Sequence, residues 1–157
     1  MVRRTSFADV NCSIAQAMEV IGDPWSVLIV RDAFFGLRRF EEFRDRLQIP
    51  RNTLASRLDH LCEHGVLRRE RYQDAPERFE YRLTAKGRAL GPVLVTLVTW
   101  GDEWSGLPEP PVVMVDRRTG RVLDPVLADR ETGELLDDLD YGPQLGPGAR
   151  HGRRVPS

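Results

Sequence analysis

Apolar positions recur at helical spacing through the first half of the chain. Ile14, Ala17, Met18 and Ile21 follow Cys12 as one stripe and Gly22 stops it, which predicts a short helix over 12–21. Asp23 then stands as an N-cap with Pro24 at the first helical position. Trp25, Leu28, Ile29, Ala33 and Phe34 give this second helix a wide apolar face up to Gly36. In RRFEEFRDRLQI, Phe40, Phe43 and Leu47 mark a third amphipathic helix. It ends before Ile49-Pro50, because the residue preceding a proline is pushed out of the helical region. A fourth helix starts at Pro50 or Arg51, carries Leu54, Leu58 and Leu61 on one side, and is closed by Gly65. Its opposite side is small or polar: Asn52, Ala55, Ser56, Asp59, His60 and Glu63.

The period then changes from helical to alternating. VLRRERY and RFEYRLT both read as strands, joined by the polar loop QDAPE into a two-stranded ribbon whose tip is flanked by Arg71 and Arg78. Helical spacing returns at Thr84, a cap, and predicts one long helix to about Trp104, kinked at Pro92. Leu90, Leu94, Leu97, Gly101 and Trp104 follow the spacing of a coiled-coil seam, and Val93 and Trp100 lie on a second stripe. That is more apolar surface than one small core covers, so a partner subunit is expected to cover it. After LPEPP the chain repeats itself at a spacing of 13, DRRTGRVL from Asp116 and DRETGELL from Asp129. In each, the aspartate can accept following backbone N–H groups and Gly120 or Gly133 can take positive φ, giving a tight knuckle between short strands. Residues 142–157 lack periodicity and are expected to form a mobile tail.

A length of 157 residues bounds the chain to one globular domain with a modest appendage. No apolar run approaches the roughly 18 residues a membrane helix needs, so no membrane partner is expected. MVRRTSFADVNC has arginines without an apolar stretch behind them, so neither a secretory nor a lipoprotein signal is readable and a cytoplasmic, nucleoid-associated location is expected. Cys12 and Cys62 make neither a disulfide framework nor a zinc set. The net charge of −1 hides a polarity. Residues 38–88 hold 13 basic and 9 acidic side chains, whereas residues 105–140 hold 4 basic and 9 acidic. A basic middle beside an acidic end suits a protein of which one part meets phosphates. There is no glycine-rich phosphate loop, no nucleophile with base and orienting acid, and no metal cluster, so neither an enzyme nor a cofactor is expected.

The order helix, turn, helix, basic ribbon, from Cys12 to Trp104, resembles the HxlR family of bacterial winged helix-turn-helix regulators. The resemblance rests on NCSIAQAMEVIGDPW, RRFEEF, PRNTLASRLDHLCEHGVLRR, RYQDAPERFEYRLTAKGRAL and WGDEW, in that order, over about three fifths of the chain. It implies an α+β, mainly helical fold: a winged helix-turn-helix with a long C-terminal dimerisation helix. It also implies a homodimeric transcription regulator whose partner is double-stranded DNA. Two departures stand out. Pro24 replaces the lysine that many members carry before the tryptophan. The C-terminal extension resembles that of longer members whose knuckles form a zinc ribbon, yet here Asp129 and Thr132 stand in place of a Cys-x-x-Cys pair and Thr119 in place of a further cysteine. A zinc-ribbon-like β-hairpin module without metal is therefore expected. The resulting division is 1–106 for DNA binding and dimerisation, 107–141 for the hairpin module, and 142–157 for the tail.

Arg51, Asn52, Thr53 and Ser56 are the candidate groove-facing residues, because guanidinium and amide groups present forks that fit base edges. The alternative is an ordinary solvated helix surface, and the family resemblance favours DNA. Arg57 is expected to reach phosphate. Arg39, with Arg38 beside it, precedes the Phe40 helix, whose free N–H groups favour a phosphate. Arg71 and Arg78 are candidates for contacts beside the ribbon, while Arg82 pairs with Glu80 or Glu70. The expected dimer interface is Leu90, Leu94, Leu97, Trp100 and Trp104. Cys12, at a helix start, is either a thiol sensor, as the resemblance to redox-responsive relatives implies, or a small buried hydrophobe against the dimer helix. Cys62 belongs with the core. Trp25, Phe34, Phe35, Trp100 and Trp104 either line a cavity for a small-molecule effector or pack as core. His60 and His64 offer two imidazoles at spacing 4 without a third ligand, so they read as solvated helix residues. The function expected is a dimeric repressor on a pseudo-palindromic operator, open to control by a small molecule or thiol oxidation. The alternative is a winged-helix protein-interaction module acting through its acidic C-terminal hairpins.

Overall fold

The computed structural model describes residues 6–149. Four helices open the chain: α1 Ser13–Ile21, α2 Pro24–Phe34, α3 Phe40–Leu47 and α4 Arg51–Glu63. Their ends have local causes. Asp23 caps α2 by accepting the backbone N–H of Trp25 at 3.0 Å and of Ser26 at 3.2 Å, with Pro24 where no N–H is needed. Glu42, in the first turn of α3, reaches back to accept the N–H groups of Arg38 and Arg39, each at 2.9 Å. Gln48 takes the left-handed conformation (φ 50°) that turns the chain from α3 into α4. Gly65 does the same at the end of α4 with φ 68°.

The core lies where these helices meet the ribbon. Ile29 and Val30 of α2, Phe43 of α3, Ile49 of the turn and Leu54, Leu58 and Leu61 of α4 pack with Val66, Leu67 and Tyr81. The three leucines are wholly buried, each contributing about 1.5–3 kcal/mol relative to exposure. This burial fixes the roll of α4, and so decides which of its residues face out.

The ribbon is β1 Leu67–Asp74 antiparallel to β2 Glu77–Leu83, longer than the pattern predicted by Gln73, Asp74 and Glu77. Its register slips between Arg71 and Gln73, a bulge that leaves Tyr72 as the extra residue. On one face Arg69 stacks on Phe79, 3.5 Å from the ring centre. On the other, Arg82 forms ion pairs with Glu70 at 2.9 Å and with Glu80 at 2.8 Å, so it pairs with both of the carboxylates the sequence offers. The sequence did not reveal a third strand segment: Tyr81 N–H donates to the Arg38 carbonyl at 2.7 Å, and Arg39 bridges Glu80 in antiparallel fashion.

The single long helix expected from Thr84 is two helices, α5 Ala85–Arg88 and α6 Gly91–Trp104. Proline lacks an N–H and crowds the carbonyl four residues back, so Pro92 tolerates the first turn of a helix and not its interior. The break before Gly91 places it there. Thr84 caps α5 through Gly87 N–H at 3.1 Å while donating to the Gly65 carbonyl at 2.5 Å. Gly87 is required by a close approach, since a Cβ there would lie 2.2 Å from the Val66 carbonyl oxygen.

The chain divides into two compact units between Leu94 and Val95, inside α6. The later turns of α6 (Val95, Val98, Thr99) line a groove with residues from Pro110 to Pro125. In this second unit the two D-R-x-T-G repeats are near-copies. Asp116 accepts Arg118 N–H at 2.9 Å, and Asp129 accepts Glu131 N–H at 2.9 Å and Thr132 N–H at 2.8 Å. These bonds hold both carboxyls below the usual carboxylate range, led by the backbone N–H of Arg118 and of Thr132 respectively. Gly120 (φ 73°) and Gly133 (φ 77°) sit in the left-handed region, as the spacing predicts. The expected flanking strands shrink to one bridge each, Val115 with Val122 and Ala128 with Leu135. Pro125, which offers no donor, lies between the two knuckles. A 3₁₀ turn at Leu136–Asp138 follows. Residues 142–149 form no helix or strand, and 150–157, the rest of the expected tail, lie outside the described residues together with the first five.

Candidate nucleic-acid interface

With its leucines inward, α4 presents its first turns outward. Arg51, Asn52 and Ser56 are exposed and Thr53 is half-buried. The side chains of Asn52, Thr53 and Ser56 make no hydrogen bond among the described residues, which leaves an amide and two hydroxyls free for base edges or phosphate. Arg51 is engaged: its Nη1 lies 2.9 Å from Glu41 Oε1, and its guanidinium stacks 4.9 Å above the Phe40 ring.

Beside this helix end a groove of about 720 Å³ runs between α3 and the ribbon, its walls including Arg39, Arg51, Arg78, Phe40, Tyr72 and Phe79. Arg39 lies 4.9 Å over the Tyr72 ring and 3.7 Å from Glu80. Arg78 is exposed and makes no ion pair among the described residues. Stacking on aromatic rings, worth about 0.5–1 kcal/mol at exposed sites, holds the Arg39 and Arg51 guanidiniums in place, with one N–H edge of each turned to a carboxylate, Glu80 and Glu41 respectively. Glu41, Glu42, Asp45 and Glu77 also line the groove, so its charge is mixed. Glu42 is held below the ordinary carboxyl range, first by the Arg38 backbone N–H and then by that of Arg39.

Other expected residues lie elsewhere. Arg57 does not face out with Asn52 and Ser56: its Nη2 is 3.0 Å from Asp23 Oδ2, tying α4 to the cap of α2, with a quarter of its side chain exposed. Arg71 is held within the ribbon by Asp74 and Glu77, each at 3.2 Å. No local pattern in the sequence marks Glu41, Phe40 and Tyr72 as partners of these arginines. Glu41 is ten residues from Arg51, a distance with no local periodicity, and Tyr72 owes its position to the bulge.

Cys12 is exposed at the N-cap of α1 and is therefore not a buried hydrophobe within this chain. Cys62 packs against the core, half-buried, and burial pushes its thiol up. His60 and His64 are not simply solvated. His60 Nε2 lies 3.0 Å from the Val20 carbonyl, His64 Nδ1 lies 2.9 Å from the His60 carbonyl, and the rings are 4.2 Å apart. His60 joins α4 to the end of α1, and His64 folds back on the last turn of α4. Trp25 and Phe34 pack on the core of the first unit, whereas Trp100 and Trp104 belong to the second and are 62% and 68% exposed. Phe35 is exposed beneath the Arg46 guanidinium. The expected interface splits likewise: Leu90 and Leu94 pack on the chain's own core, while Leu97, Trp100 and Trp104 remain exposed, with Val93 beside them.

A family model described as HxlR-like helix-turn-helix matches residues 20–108, more than half of the chain. The chain belongs to the HxlR family. An HTH-type transcriptional regulator of Mycobacterium tuberculosis, itself uncharacterised, is 44% identical over 137 residues, 87% of each chain. The crystal structure of PA1607, assigned as a transcription factor, superposes with a TM-score of 0.77 at 40% identity, covering 89% of this chain and all of that one. That match reaches beyond residue 108 into the second unit. The redox regulator HypR, in its oxidised form, is 32% identical with a TM-score of 0.54, covering 59% of this chain and 96% of its own. This HxlR-family protein is thus a winged helix-turn-helix transcription regulator of a DNA-binding class. No described helix is long and apolar enough to cross a membrane.

Proposed function

We propose that this HxlR-family protein is a homodimeric repressor that places the first turns of α4 in successive major grooves of a pseudo-palindromic operator in the bacterial cytoplasm. The observation that carries the reading is the free polar surface of Asn52, Thr53 and Ser56, backed by three wholly buried leucines. Asn52 and Arg51 read base edges, Thr53 and Ser56 anchor the helix end, and Arg39 and Arg78 hold backbone phosphates on either side of the groove. Pairing of subunits covers Leu97, Trp100 and Trp104, which a lone chain leaves in water. Repression needs only occupancy of a promoter, whereas activation also needs a surface that recruits polymerase.

Genome-wide footprinting identifies the operator, and binding to that duplex should weaken steeply between about 50 and 200 mM salt. Asn52→Ala should relax preference at one base position by about 1–3 kcal/mol, and Arg78→Ala should weaken all sequences alike. Binding that ignores salt, or an Asn52→Ala variant with unchanged preference, refutes the reading and favours an interaction module acting through the acidic hairpins.

A second reading, thiol control, is favoured by the exposed Cys12 at the start of α1 and by the likeness to the redox regulator HypR. Mild oxidant should then release the operator from the natural chain and leave Cys12→Ser bound. Equal occupancy of both after oxidation rejects it.

A further inference from the structure

We propose that the groove between the later turns of α6 and the Pro110–Pro125 segment binds a lipophilic organic cation, a compact apolar body carrying one positive charge. The groove, open to solvent along one side, has a volume of about 340 Å³, at the small end of the range for small-molecule sites. Val95, Val98, Val112, Met114 and Leu123 supply its apolar wall. Three carboxylates, Asp102, Glu103 and Asp124, line it, and no basic side chain does. None of the three makes an ion pair among the described residues.

The combination selects the occupant. Carboxylates alone are satisfied by water and choose nothing, and an apolar wall alone accepts any greasy molecule. Together they favour a ligand that buries hydrocarbon against the valines while its charge stays at the partly solvated edge beside the aspartates. The field around the groove has the same sign, since residues 95–149 carry 11 acidic and 4 basic side chains. Anions of the same shape meet the same wall and the opposite field. The site is distinct from the α4 surface and does not depend on the DNA reading.

Tetraphenylphosphonium and tetraphenylborate have the same shape and opposite charge, so they separate charge selection from greasiness. Equilibrium dialysis of the full chain at about 0.1 M salt should show one phosphonium bound per chain and at least tenfold weaker uptake of the borate. Asp102→Asn with Asp124→Asn preserves side-chain shape and should weaken the phosphonium about 25-fold, roughly fivefold per carboxylate for a unit charge at about 4 Å in water-like surroundings. Leu123→Trp should block the groove. Equal binding of both ions, or phosphonium binding undiminished in the double asparagine variant, overturns the proposal. So does binding lost in Trp100→Ala and kept in Leu123→Trp, which would put the ion on the exposed face of α6.

Discussion

Replacing Glu41 by glutamine should tighten DNA binding. Glu41 holds two guanidiniums, Arg51 at 2.9 Å and Arg44 at 2.8 Å, on the side of the molecule where α4 begins. For Arg51 to reach a base or phosphate it must leave this carboxylate. The side chains of the pair are 65% and 53% exposed, and an exposed ion pair is worth about 0–1 kcal/mol, so its loss costs binding at most about fivefold. Glu41 also repels a phosphate brought to Arg51, an effect that fades as salt shortens the screening length to about 8 Å at physiological strength. Glu41→Gln should therefore bind operator about three- to fivefold more tightly at low salt, with the gain shrinking as salt rises. Anisotropy titrations at two salt concentrations measure this, and the Arg51→Ala background should remove most of the gain. The first turn of α3 loses a favourable charge on its dipole, about 0.3–1 kcal/mol of stability, which a urea titration reports separately. Weaker operator binding by Glu41→Gln at low salt would refute the reasoning and make Glu41 a residue that aims Arg51.

Arg57→Ala should lower stability by about 1–2 kcal/mol, seen as a lower urea midpoint, because it breaks a largely buried charge-assisted bond to the cap of α2. Operator affinity of the folded variant should change less than twofold. The Glu42 carboxyl has its folded pKa depressed by two backbone N–H groups, so its stabilisation is complete above the unfolded value of about 4.3 and is lost as pH falls through the folded value. The gap in urea midpoint between the natural chain and Glu42→Gln should be widest at pH 7 and close in acid. Leu97→Glu should shift the chain to a monomer in sedimentation while near-UV signals of the first unit persist, since Leu97 is 48% exposed and outside the core. An unchanged sedimentation coefficient would remove α6 from the interface.

What the sequence disclosed follows from how far each signal reaches along the chain. The α2 cap, the α4 leucine stripe, the ribbon and both aspartate knuckles depend on residues within a few positions, and all are present. Failures came where distant partners decide. Nothing near Arg57 announces Asp23, 34 positions away, nor does anything near His60 announce the Val20 carbonyl. The seam spacing runs unbroken through Pro92, so the sequence predicts a kink within one helix where the chain has a break between two. Leu90 and Leu94 share that spacing with Leu97, yet the first two face the chain's own core. Candidates Asn52, Thr53 and Ser56 were legible because the leucines opposite them fixed the helix's roll. The partners of Arg39 and Arg51 were not.

The backbone bond from Tyr81 to the Arg38 carbonyl, with the Arg39–Glu80 bridge beside it, splices the ribbon to the start of α3 through main chain alone. Side-chain substitutions cannot easily cut such a splice. The span from the Arg78 tip to the Asn52 face is thereby gauged like the jaws of a fixed caliper. If the proposed dimeric reading holds, a duplex has to match that gauge within each half-site, and adjustment to different spacings falls to whatever joins one subunit to the next.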